Sequence, residues 1–265
     1  MDWYVLVTGC LLAGAAIGFM GGVLGLGGGL LAIPLLGLIF SMDQQMAQGT
    51  SLIMVLPAIM LTVRKYNQHD RIDFKAVAVA ALSSILFTWL GARLALGVDS
   101  MLLRRIYAFF VLGIAVFYLV QVWCHERGIT PRSRRAAAEA SKGIKPLHPL
   151  WYVPIGCLAG LTGGVFGVGG SVVAVPLLTT LYGLTQTRAQ ALGLAMIIPG
   201  TIVALGTYAA HGQADWWMGI PMALGSMLLV PHGVRLAYRL PESRLKLTFA
   251  CMLLVIMVLL LLSAR

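Results

Sequence analysis

Charge is what this sequence has least of. Only 11% of its 265 residues are Asp, Glu, Lys or Arg, where a soluble domain carries about 25%. Apolar residues make up 59%, and mean hydropathy is +0.90. That balance excludes an ordinary soluble domain. At about 20 apolar residues per crossing, the chain could supply about seven or eight membrane helices. The apolar runs are long and unbroken rather than alternating with period two, which excludes an outer-membrane barrel.

Acidic residues are scarcer still. The nine are Asp2, Asp43, Asp70, Asp73, Asp99, Glu126, Glu139, Asp215 and Glu242. None lies at the middle of an apolar run, which argues against a pump built on an intramembrane carboxylate relay. Cys10, Cys124, Cys157 and Cys251 lie far apart and form no CxxC. No metal or redox motif follows, and they read as small apolar packing residues. The five histidines show no metal-ligand spacing. There is no HExxH, no nucleophile–base pair and no intramembrane acid pair. Those absences argue against an enzyme, and no cofactor is expected. The start, Met1-Asp2-Trp3, lacks the basic region of a cleaved signal, so the first apolar segment is expected to be retained.

The charge that is present is basic, with a net of +10. Six of the nineteen Lys and Arg residues cluster at Arg127, Arg132, Arg134, Arg135, Lys142 and Lys145. The positive-inside rule accounts for that cluster and places it in the cytoplasm, so no nucleic-acid partner is expected.

The chain is also one repeat written twice. The run from Gly18 to Leu36 recurs from Gly160 to Leu178 with eleven of nineteen positions identical. The offset of 142 residues continues without a gap. Gln48 matches Gln190, Met54 matches Met196, and Pro57 matches Pro199. Asp73-Phe74 matches Asp215-Trp216, and Arg93 matches Arg235. This divides the chain into a first transmembrane repeat (1–123), a basic cytoplasmic linker (124–149) and a second transmembrane repeat (150–265).

Loop charges exchange between the repeats. Arg64, Lys65, Arg71 and Lys75 have no basic counterparts between His211 and Asp215, whereas the loop holding Arg235, Arg239, Arg244 and Lys246 matches a poorer one around Gly97. That exchange predicts inverted repeats. The fold class expected is an all-α polytopic membrane protein. Hydropathy predicts eight full spans, or up to five segments per half: 3–24, 28–40, 46–63, 76–97 and 103–123, then 151–166, 170–182, 189–210, 216–234 and 246–263. The second segment of each half is only about 18 Å long at 1.5 Å per residue, and reads as a half-helix.

Candidate site residues follow from where the helices break. Gly25, Gly27, Gly28 and Gly29 interrupt one apolar run, and Gly167, Gly169 and Gly170, followed by Ser171, interrupt its counterpart. Each Gly costs a helix about 1 kcal/mol relative to Ala, so the clusters predict broken helices. Irregular backbone at membrane depth is tolerated where protein covers it or it lines a cavity. A half-helix starting after each cluster would present free N–H groups to an anion there. Close helix packing through small residues is the structural alternative, and Gly14, Gly18, Gly21 and Gly22 fit it. Gln48 and Gln190 start the following helices. Their amides can donate to an anion or cap backbone freed by the break. Thr50 and Ser51 add hydroxyls in the first half, and Ser171 and Thr201 in the second. Asp73 and Asp215 read as helix N-caps. Arg93 and Arg235 read as snorkelling side chains near helix ends.

These residues resemble a known family. The Gly-rich run from Gly21 to Pro34-Leu35, the polar start Ala47-Gln48-Gly49-Thr50-Ser51 and the Ile72-Asp73-Phe74 loop are similar to the TauE/SafE (TSUP) membrane transporters. The pattern recurs from Gly163 to Pro176 and from Ala214 to Trp217, and departs from it at Ala191-Leu192-Gly193. The resemblance implies a secondary carrier of the cytoplasmic (inner) membrane that moves sulfite, sulfonates or related organic acids. The partners then expected are a small anionic substrate, the lipid bilayer, a proton as candidate coupling ion, and further copies of the chain if it forms a homo-oligomer. An anion channel and a membrane scaffold that transports nothing remain the alternatives at this point. The expected topology puts the linker in the cytoplasm and both termini outside. Reporter fusions at residues 1 and 265 that both read as cytoplasmic would overturn it.

Overall fold

The computed structural model describes residues 3–25, 27–69, 74–126, 152–241, 245, 247–248 and 251–256. Every regular element among them is a helix. They are α1 (Trp3–Leu24), α2 (Gly29–Ile39), α3 (Gln44–His69), α4 (Phe74–Leu96), α5 (Ser100–Glu126), α6 (Tyr152–Phe166), α7 (Ser171–Leu181), α8 (Gln186–Ala210) and α9 (Trp216–Arg239), followed by a helical stretch at 251–256. Six of these are long and apolar enough to cross a membrane, and α2, α6 and α7 are shorter apolar helices. The chain is thus an all-α polytopic membrane protein. Large apolar side chains stand exposed along the outer helices, among them Leu12, Leu82, Phe109 and Leu228, as lipid-facing surfaces require.

Three helices run past their sequence-predicted ends, among them α9, which reaches Arg239 rather than 234. α3 continues to His69 because Tyr66 is fully buried and holds the polar last turns against the core. α5 runs to Glu126, three residues beyond the expected boundary at 123. The rest of the linker, the Asp73 cap and the last residues of the chain lie outside the described residues. The matching cap is present: Asp215 accepts from the N–H groups of Trp217 and Met218 at 2.9 and 3.2 Å. The guanidinium of Arg93 lies 4.8 Å from the ring centroid of Trp89, exposed near the end of α4.

The halves interlock along glycine seams. Cβ atoms at Gly14, Gly18 and Gly22 of α1 would strike the backbone at Met222, Ser226 and Val230 of α9. Gly156, Gly160 and Gly164 of α6 meet Ala80, Ser84 and Thr88 of α4 in the same way. Lipid tails are as apolar as Leu, so membrane helices associate by close packing, and four-residue glycine spacing lets backbones touch. Contact order rises along both members of each pair, so α1 runs parallel to α9, and α4 to α6. The packing alternative therefore describes Gly14, Gly18 and Gly22.

α3 and α8 cross at the centre. Tyr66 meets Gln190 and Tyr208 meets Gln48, so these two helices run antiparallel. Each also packs beside a helix of the other half. Gly219 of α9 packs on Ile53 of α3, and Ser84 of α4 donates to the carbonyl of Met196 in α8 at 3.2 Å. Residues of all nine of these helices, α1 to α9, share one continuous core.

The seams generate a prediction. Gly160→Val places its side chain in the Ser84 backbone, and overpacking of about 1–3 kcal/mol or more should abolish a monodisperse peak in size-exclusion chromatography. Gly113→Ala, where nothing lies within 4 Å, should leave the peak intact.

Candidate functional site

The site is built from two interrupted helices. α1 ends at Leu24, and Gly25, Gly27 and Gly28 carry the chain to α2 with φ of 66°, 67° and 87°. α6 ends at Phe166, and Gly167, Gly169 and Gly170 repeat this at 66°, 77° and 73°. Left-handed backbone favours glycine, which explains the sequence at the two caps, Gly28 and Gly170. The Gly28 carbonyl accepts from Leu31 and Ala32, and the Gly170 carbonyl from Val173 and Ala174. The first-turn N–H groups of Gly29 and Leu30, and of Ser171 and Val172, have no partner within their own helix by its geometry.

Proline frees further backbone groups. Pro34 lies inside α2 and cannot bond the Leu30 carbonyl. The Tyr107 hydroxyl of α5 donates to that carbonyl at 3.3 Å.

The glutamines serve the breaks of the opposite half. Gln190 lies against Gly25. Its Nε2 donates to the Leu24 carbonyl at 2.7 Å, and its Oε1 accepts from the Tyr66 hydroxyl at 2.8 Å. Gln48 lies against Gly167 and its Oε1 accepts from Tyr208 at 2.9 Å. The Tyr208 hydroxyl is also 3.0 Å from the Gly164 carbonyl. Ser51 Oγ donates to the Gln48 carbonyl at 2.8 Å and reaches that of Gly167 at 3.3 Å. Two buried polar atoms here have no hydrogen-bond partner: Gln48 Nε2 and Ser171 Oγ.

The structure does not gather all the candidates into one pocket. Gln48 and Tyr66 are 18 residues apart on α3, about 27 Å at 1.5 Å per residue. The Gln48–Tyr208 and Gln190–Tyr66 clusters therefore lie at different depths. Val55 packs between them against the positions of Gly27, Gly29 and Gly169. The loops meet there: a Cβ on Gly29 would lie 3.3 Å from Val168 Cα. Thr50 is apart from both clusters, because its Oγ1 accepts from the Asp215 N–H at 3.0 Å and ties α3 to the turn before α9. A crevice beside the second break is lined by Thr88, Ala159, Gly163, Gly169, Ile197 and Thr201, and is too tight to hold a water molecule. Among the described residues, no three His, Cys, Asp or Glu side chains are grouped to hold a metal.

Tyr66 and Tyr208 were not among the sequence candidates. They match in the repeat register, and that match was the available signal. Thr88 has no polar counterpart and gave none.

A family model described as "Sulfite exporter TauE/SafE" matches residues 10–260. The chain belongs to the TauE/SafE family. Its relatives include "Probable membrane transporter protein MJ0441" of Methanocaldococcus jannaschii, 22% identical over 253 residues, covering 91% of this chain and 89% of the relative. A "Probable membrane transporter protein" of Xylella fastidiosa is 25% identical over 236 residues, covering 88% and 85%. "Probable membrane transporter protein YunE" of Bacillus subtilis is 22% identical over 246 residues, covering 85% of each. No solved structure matches significantly. The TauE/SafE family and these relatives are membrane transporters by description, which points away from an enzyme.

The two amides differ in what their loss exposes. Gln190→Leu orphans both the Tyr66 hydroxyl and the Leu24 carbonyl, at about 1–3 kcal/mol each. Gln48→Leu leaves Tyr208 its Gly164 partner. Thermal unfolding in detergent should show the larger fall in Tm for Gln190→Leu, and equal falls would refute the difference.

Proposed function

We propose that this TauE/SafE protein is a secondary carrier that moves a small anion across the cytoplasmic (inner) membrane by alternating access. The substrate class is sulfite, a sulfonate or a related sulfur-containing or organic acid. One observation carries the reading: two helices broken by glycine in a buried centre, each resuming with first-turn N–H groups in the protein interior. Neutral N–H donors bind an anion without a buried cation. The family description adds the sulfur chemistry.

In this reading the halves are inverted repeats that rock around the breaks. The antiparallel sense of α3 and α8 supports it, because these two helices are repeat counterparts. So do the parallel pairs. α1 and α3 share the sense of α9, while α6 and α8 share that of α4. Every described repeat pair from α1, α3 and α4 then runs against its counterpart. The tight crevice and the Val55 contact between the loops fit a closed stage of such a cycle, and disfavour an open anion channel. The linker then lies in the cytoplasm and the termini outside. Protonation of the substrate itself supplies a coupling route without an intramembrane carboxylate.

The decisive measurement is labelled sulfite flux in proteoliposomes, with unlabelled sulfonates, sulfate and small organic acids as competitors. The carrier predicts saturable flux, competition and counterflow. Flux that does not saturate and shows no counterflow identifies a channel instead, and absence of flux for every anion from folded protein overturns the reading.

A further inference from the structure

We infer that the chain seats a single anion at the second break alone, on Ser171 Oγ and the first-turn N–H groups of α7, against a wall formed by Thr88 and Thr201, in the stage of the cycle that opens this crevice, which is closed to water in the structure described. This rests on the anion-carrier reading and names its site. A pseudo-symmetric scaffold offers two equivalent breaks, and the side chains make them unequal.

The crevice residues and their repeat counterparts show how. Thr88, Ala159 and Thr201 at the second break correspond to Val230, Ile17 and Ile59 at the first. Two hydroxyls and a small side chain are thus replaced by three bulky apolar ones. The first break is plugged: Ile59 Cγ2 occupies the space beside Gly27, and Ile17 Cγ2 lies 2.8 Å from where a Cβ on Gly28 would stand. At Gly169 the nearest side-chain atoms to such a Cβ are Ile197 Cδ1 at 3.2 Å and Thr201 Oγ1 at 3.6 Å.

The donors are unequal as well. Ser171 opens α7 with a fully buried hydroxyl that has no partner, where α2 opens with Gly29. A buried polar group without a partner is costly, about 1–3 kcal/mol, and is expected to meet a ligand or solvent at some stage of the protein's cycle. Gln190 at the first break has a partner at both amide atoms, Tyr66 and the Leu24 carbonyl. Gln48, on the far side of the second loop against Gly167, keeps Nε2 without a partner. Its orientation follows from the repeat: the Leu24 carbonyl can only accept, so Gln190 must present Nε2 to the break, and Gln48 presents the same atom to its own. Unpartnered side-chain donors and polar walls thus coincide at one break, while the other offers neither and is filled by apolar side chains.

The test uses the full chain purified in detergent and labelled sulfite in equilibrium dialysis. Wild type should bind one sulfite per chain. Ser171→Gly installs the residue of the first break, and Thr201→Val keeps the shape while removing the hydroxyl. Loss of one hydrogen bond to a charged group weakens affinity roughly tenfold or more, so Ser171→Gly should do so; Thr201 Oγ1 donates to the Ile197 carbonyl at 2.9 Å and must release it to reach the anion, so Thr201→Val should weaken binding by less. Ile59→Thr, the matching change at the first break, should leave affinity and stoichiometry unchanged. Each variant is first shown to be monodisperse by size exclusion. Two sulfites per chain, wild-type affinity in both Ser171→Gly and Thr201→Val, or no sulfite binding by folded wild type would overturn the seat. Wild-type flux that survives both substitutions overturns the seat and keeps the carrier. Binding that both substitutions weaken, without any wild-type flux, keeps the seat and overturns the carrier.

Discussion

Backbone satisfaction without water is the constraint on which this structure depends. In an apolar slab every N–H and C=O must find a partner inside the protein, yet this chain breaks two of its helices there. Each break releases carbonyls and N–H groups that ordinary helix geometry would have paired. The protein answers with side chains from elsewhere in the chain. Gln190 reaches the Leu24 carbonyl, and Tyr107 reaches the carbonyl that Pro34 leaves free. Those solutions require α3 and α8 to cross antiparallel, so that a residue near the start of one helix meets a tyrosine near the end of the other.

The crossing in turn depends on how closely the outer helices approach. Glycine seams hold α1 on α9 and α6 on α4, so neither half packs mainly on itself. The result is an exchange of helices between repeats rather than two bundles side by side. Such interlocking gives each break a wall from the opposite half: Thr88 of α4 lines the second, and Val230 of α9 stands at the corresponding place in the first. A scaffold with a two-fold repeat thereby carries a polar lining on one side and an apolar plug on the other. In the proposed seat, the anion is held by that difference rather than by the symmetry.

Much of the architecture was legible before any coordinate. Segment limits at 3–24 and 216 onward agree with α1 and the start of α9, and the half-helices expected at 28–40 and 170–182 are α2 and α7 within about a residue of each end. The Gly25–Gly29 and Gly167–Gly170 runs break their helices because a glycine cluster weakens any helix wherever it lies. Asp215 caps α9 for an equally local reason. Side-chain roles were less accessible. Thr50 and Ser51 are adjacent in sequence, yet one fastens a turn of the second half and the other bonds backbone beside the second break. Tyr66 and Tyr208 were not singled out in the sequence, and are buried partners of the two glutamines.

The sequence by itself determined the membrane class, the duplication, the limits of the half-helices and the two breaks. Each of these depends on apolar length, residue propensity or register, which are properties of neighbouring residues or of a fixed offset. Only the tertiary structure decided which groups share a site. It separated Gln48 from Gln190, joined each to a tyrosine 160 or 124 residues away, and left Ser171 Oγ and Gln48 Nε2 without partners at one break. The physical reason is that a hydrogen bond is set by where two helices cross, and that crossing is a property of the packed whole.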